Sequence, residues 1–171
     1  MNKLKFILLF ALSVVVLSCS DDDDSSGPEL TTANITGTYN LTFFEATTVE
    51  SEIINAGTVV TTIETEGDTF GESNIVFNSD GTFVTNFQYR ITETTSSTIE
   101  DSETTVETEI ITESNTGTYS VNEEDQTITF NGEIGDVTRF NDEELRIEST
   151  FNGELANGTF TDETEIRFER Q

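Results

Sequence analysis

The chain has no histidine, no tryptophan, one cysteine, one proline and one methionine in 171 residues. Each absence closes off a chemistry. Without histidine there is no Ser-His-Asp or Cys-His catalysis, and the usual zinc sites are excluded. A single cysteine, Cys19, cannot build an intramolecular disulfide framework. Positive charge is almost as scarce: seven basic residues stand against 34 acids, for a net charge of −27. Such a surface repels nucleic acid and anionic lipid headgroups, and associates weakly with divalent cations. No glycine-rich phosphate loop opens a helix, and no aromatic residues line a basic face. Neither nucleotide nor single-stranded nucleic-acid binding is expected, and no cofactor is implied.

What is present begins with an apolar stretch. Asn2-Lys3-Leu4-Lys5 is a short basic segment, and Phe6 to Leu17 follows as 12 apolar or small residues. That length suits the core of a secretory signal and is short for a bilayer span. Residues 1–18 are therefore expected to be a signal peptide. Val16-Leu17-Ser18-Cys19 then resembles the lipobox of bacterial lipoproteins. Val16 is the branched apolar residue three before cysteine, and Ser18 is the small residue before it. Leu17 is bulkier than the usual alanine or serine. The resemblance implies diacylation of the Cys19 thiol, cleavage before it and acylation of the new amine. A plain secretory signal with an incidental cysteine is the alternative. Cleavage there would leave five arginines and all 34 acids, a net charge of −29.

Residues 19–33 read as the lipidated cysteine and an acidic tether, because self-repelling carboxylates extend a chain. Ser20, Asp21, Asp22, Asp23 and Asp24 also resemble the acidic export signal of surface-displayed lipoproteins. That implies the outer leaflet of an outer membrane, anchored by lipid and exposed at the cell surface. A simple spacer on a periplasm-facing lipoprotein is the alternative. The aspartate run is not read as a calcium site, since adjacent residues cannot wrap an ion without turns between them.

From residue 34 to 171 the pattern is β almost throughout. Tyr39, Leu41 and Phe43 alternate with Asn40 and Thr42. Phe83, Phe87, Tyr89 and Ile91 share one face. Asn78-Ser79-Asp80-Gly81, Asn122 to Asp125, Asn131-Gly132 and Asn141 to Glu143 read as turns, and Asn152-Gly153 and Asn157-Gly158 bound the next connection. Their spacing of about ten residues fits an antiparallel meander. One apolar face per strand requires a second layer or closure into a barrel. Glu45 to Thr69 and Glu93 to Thr116 have few apolar residues. They are expected to project as long hairpins with tips at Asn55-Ala56-Gly57 and Glu100-Asp101-Ser102, as surface ribbons or as the rim of a binding mouth.

Three stretches resemble the lipocalin-like domains of bacterial lipoproteins. They are Ile35-Thr36-Gly37-Thr38-Tyr39-Asn40-Leu41, Ile75 to Phe83 with its Ser79-Asp80-Gly81-Thr82-Phe83 hairpin, and Gly117-Thr118-Tyr119-Ser120-Val121 followed by Ile128-Thr129-Phe130. Ile166 to Arg170 resembles the closing strand. Tyr39 stands where that family usually has tryptophan. The resemblance implies an up-and-down barrel or half-barrel of about 8–10 strands, with no catalytic residues. A barrel interior lined by Tyr39, Phe83, Phe87, Tyr89 and Phe130 would hold a small, mainly apolar ligand. The competing expectation is a structural, adhesive or protein-interaction module whose barrel is filled by its own side chains.

Paired carboxylates are the one catalytic option left. Acids are so abundant that no pair stands out, and no enzymatic activity is expected. Asn122 to Asp125 and Asn141 to Glu144 are acidic turns, but neither has the spacing of a calcium loop, so no metal ligands are assigned. The five arginines are scattered along the sequence. Arg139 shares strand parity with Val137; facing inward it could meet a carboxylate ligand, and otherwise it pairs with a neighbouring acid.

Overall fold

Threonine is the commonest residue beyond residue 34, isoleucine and phenylalanine recur through that region, and the only proline, Pro28, precedes it. Branched and aromatic side chains fit a pleated surface, and no proline interrupts a ladder. The computed structural model describes residues 27–171. The expected signal peptide, Cys19 and Ser20 to Asp24 lie outside the described residues.

One helical turn, α1 (Thr32–Ile35), precedes nine strands. They are β1 (Gly37–Ile54), β2 (Gly57–Asp68), β3 (Asn74–Phe77), β4 (Thr82–Ser97), β5 (Thr105–Asn122), β6 (Thr127–Phe130), β7 (Glu133–Phe140), β8 (Glu144–Leu155) and β9 (Gly158–Arg170). Every pairing is antiparallel, and β9 returns to pair with β1. The fold is an all-β up-and-down meander closed into a ring. Its hairpin tips fall at Asn55-Ala56 and between Ser97 and Thr105, as the sequence leads one to expect. Asn152-Gly153 does not turn. It lies inside β8, where a Cβ on Gly153 would stand 2.3 Å from the Phe160 ring. That glycine serves a close cross-strand contact, and the turn comes later, at Ala156-Asn157.

β2 and β3 share one place in the sheet. β1 pairs with β3 over Gly37–Asn40 and with β2 over Glu45–Ile54, and β4 pairs with the same two strands in turn. The interruption, Thr69 to Ser73, leaves the sheet through two left-handed residues, Thr69 (φ 53°) and Gly71 (φ 56°). Ser73 repairs the ladder there. Its hydroxyl donates to the Gln88 carbonyl (2.8 Å) and accepts from the Gln88 N–H (2.7 Å), so buried backbone groups stay satisfied.

The ring is closed at one end only. There β5, β6, β7 and β8 pair in sequence. β6 has four residues and β7 eight, so neither reaches the far halves of their neighbours. At the other end no strand lies between β5 and β8 among the described residues. What remains is an open, six-stranded wall in the order β5-β4-β2-β1-β9-β8.

The core fills the closed end. Phe77 sits at its centre, 1% exposed. Its ring lies 5.6 Å from Tyr39, 4.9 Å from Tyr119 and 5.9 Å from Phe130. Leu30 and Ile35, 1% and 0% exposed, plug the same end from the N-terminal side. Leu30 lies within the stretch expected as tether, so packing against the barrel starts there. Thr31 caps α1 by accepting from the Asn34 N–H (3.1 Å). Arg170, at the end of β9, donates to the carbonyls of Asn34 and Thr36 and ties that plug down. Phe77→Ala is expected to cost about 3–5 kcal/mol by leaving a cavity among these rings. Urea unfolding of the variant measures it; a loss below about 1 kcal/mol would show that the closed end is not the stabilising core.

Candidate functional site

Two β-bulges decide which side chains face in and which face out. The first falls between Leu41 and Phe43 in β1. It turns Phe43 outward, against the plain alternation of Tyr39, Leu41 and Phe43, and brings Phe44 inside at 6% exposure. The Thr42 hydroxyl donates to the Arg167 carbonyl (3.3 Å) at the irregularity. The second falls between Val137 and Arg139 in β7. It leaves Val137 in the core and puts Arg139 on the outer face, so Arg139 does not look into the barrel.

Inside, at the border between the closed and open ends, four aromatic rings form a floor. Tyr89 is at its centre, with ring centroids 5.7 Å from Phe44, 5.8 Å from Phe70 and 6.3 Å from Phe87. Phe87 lies 6.4 Å from the core residue Phe168. Phe70 is delivered by the Thr69–Ser73 excursion. Gly67 lets it settle, since a Cβ there would stand 3.0 Å from the Phe44 Cβ and 3.1 Å from the Phe70 ring. Of the five residues expected to line a ligand, Tyr39, Phe83 and Phe130 therefore belong to the packed closed end. Phe83 and Phe130 meet edge to face at 5.4 Å. Phe87 and Tyr89 belong to the half-buried floor. The sequence pattern alone missed Phe44 and Phe70, because one depends on a bulge and the other on a break in a strand.

Above the floor the inner face turns acidic. Registers place Glu113 opposite Phe87, Glu109 opposite Ile91 and Glu107 opposite Glu93, all on that face. Asp162 is there too, accepting from the Thr48 hydroxyl (3.0 Å). Phe151 and Phe160, 5.3 Å apart, add a second aromatic pair on the β8–β9 side. Burial, with the Glu113 carboxylate as a lesser cause, pushes the Tyr89 phenol up to about 12. Among the described residues no three carboxylates converge to hold a metal ion.

A second concavity lies outside the barrel. It is a polar cleft of about 740 Å³ lined by Thr42, Phe43, Asp142, Glu143 and Glu169 together with Glu144 and four arginines. Although scattered in sequence, Arg139, Arg146 and Arg167 are direct cross-strand neighbours. Carboxylates interleave them. Glu165 holds Arg167 at 2.5 Å and Arg146 at 3.4 Å, and Glu144 holds Arg146 at 3.1 Å and Arg139 at 3.2 Å. The Arg167 guanidinium also stacks 4.2 Å above the Phe43 ring. Arg90 pairs with Asp68 at 2.6 Å, and Arg170 is taken by α1. Every arginine of the domain thus has a partner within the chain.

Compared with family models, curated proteins and solved structures, the chain matches none.

All three tyrosines have raised pKa values, each chiefly through burial. A phenol whose pKa is raised by folding contributes stability that is complete below its unfolded value near 10. That contribution is lost as pH rises through the folded value, about 12 for Tyr89. Phenolate absorbance of the native protein is expected to rise only above pH about 10, and stability to fall between about 10 and 12. A normal titration of any tyrosine in the folded protein would contradict this packing.

Proposed function

We propose that the protein is a lipid-anchored surface lipoprotein whose lipocalin-like domain binds a small, mainly apolar molecule on the aromatic floor of its half-open end. The observation that carries the proposal is the half-buried cluster of Phe70, Phe87 and Tyr89, backed by the buried Phe44 and facing the unclosed half of the barrel. Rings left partly wet at the base of a concave wall are what apolar ligands cover. The closed end offers no comparable room, because its rings already pack on one another. An all-β barrel is compatible with a lipocalin-like domain. Anchoring rests on the lipobox-like Val16 to Cys19, and outward display on the acidic run that follows it. Stable anchoring takes more than one acyl chain, each methylene adding about 0.8 kcal/mol.

A structural or adhesive module remains the second reading, favoured by the packed closed end. Native mass spectrometry of protein extracted from its own membrane separates the two. A carried ligand adds mass that Tyr89→Ala and Phe70→Ala remove; a bare mass for the unaltered protein overturns the carrier reading. Cys19→Ala is expected to leave the precursor uncleaved or to release the protein from the membrane. Unchanged processing and retention would refute lipidation. Protease added to intact cells should remove the domain, and protection until the outer membrane is ruptured would place it on the periplasmic side.

A further inference from the structure

The open half of the barrel exposes backbone as well as aromatic rings. β5 pairs with β4 over Thr105–Thr118 without a register shift, but meets β6 only from Tyr119 onward. Among the described residues its other edge is therefore unpaired for most of its length. The orientation of that edge is fixed at its end. The Thr118 N–H donates to Asn131 Oδ1 (2.9 Å), and the Thr118 carbonyl accepts from the Asn131 N–H (2.9 Å). Even-numbered residues of β5 thus point their N–H and C=O groups away from β4. Val106, Thr108, Ile110, Thr112, Ser114 and Thr116 present theirs to the gap before β8.

Free edges are usually blunted by shortness, proline, lysine or a bulge. This one has none of these over residues 105–118. Its only charges are Glu107, Glu109 and Glu113, all on the inner face. The outer face carries Val106 and Ile110, 63% and 66% exposed, among hydroxyl side chains. A second copy of the same edge would lay like charges beside like charges, and the Asp21–Asp24 stretch would be repelled in the same way. We infer that the β5 edge docks an extended basic segment of another protein as an added strand. Main-chain hydrogen bonds hold the segment, and its alternate lysines or arginines face Glu107, Glu109 and Glu113. Its intervening apolar side chains lie beside Val106 and Ile110.

The test uses full-length protein in detergent and a labelled peptide alternating lysine with valine or threonine. Two control peptides accompany it. One replaces lysine by glutamate; the other keeps the lysines but interrupts the strand with prolines. Fluorescence anisotropy is expected to show the strand-forming basic peptide bound at least about tenfold more tightly than either control. Ile110→Pro removes an edge donor without touching the β4 ladder, so it should weaken binding by a similar factor with an unchanged circular dichroism spectrum. Replacing Glu107, Glu109 and Glu113 by glutamine should also weaken it. Equal binding of the proline-interrupted peptide would reduce the effect to bulk charge and overturn the proposal. So would edge-dependent dimerisation seen in sedimentation.

Discussion

The structure depends on how much backbone pairing β1 can satisfy. It is 18 residues long, about 60 Å of extended chain. One side pairs with β9 along most of that length, and the other is divided between β3 and β2. Closing the ring through β9 removes the edge that the first and last strands would otherwise expose. It also draws the ends of the domain together. Arg170 reaches α1, and the Gln171 N–H donates to the Thr38 carbonyl (3.0 Å). The plug, the core and the first strand are fastened by one closure.

The two ends of the barrel differ because their inner faces differ chemically. At the closed end the inward positions are Tyr39, Leu41, Phe77, Phe83, Leu145 and Phe168, all buried and apolar. They release enough apolar surface to hold short strands such as β6 in place. At the open end the inward positions include Glu93, Glu107, Glu109 and Glu113. Packing these against an opposite wall would strip water from several like charges with no cations to meet them. The domain's arginines are already engaged elsewhere, three of them in the outer ladder with Glu144 and Glu165. The open half is therefore the electrostatic consequence of where the acids and arginines fall.

Much of this was legible in the sequence. The alternation of Phe83, Phe87, Tyr89 and Ile91, the polar turns and the thin apolar content of the projecting hairpins follow directly from period-two patterning. What patterning could not reveal are the irregularities. The bulge after Leu41 reverses Phe43 and Phe44, and the bulge after Val137 moves Arg139 outside. Together they assemble the row Phe43–Arg167–Arg146–Arg139 across four strands from residues far apart in the chain. The Thr69–Ser73 excursion likewise supplies Phe70 to the floor. Each bulge depends on one residue more or fewer in a strand, which shifts every later side chain to the other face.

Both candidate binding features arise where the meander is cut short. Asn122 binds the N–H groups of Glu124 and Asp125 through its side chain and ends β5 in a tight turn. Asn131-Gly132 then turns β6 back after four residues, with Asn131 and Gly132 both at positive φ. Had β6 and β7 run the length of β5, they would have paired its free edge and roofed the floor at Tyr89. Short strands leave both open at once. An occupant of the floor and a strand on the edge would therefore adjoin across Glu109 and Glu113, whose side chains face the floor while their strand forms the edge. Binding at either place would alter the water and charge around those carboxylates, and so the affinity at the other.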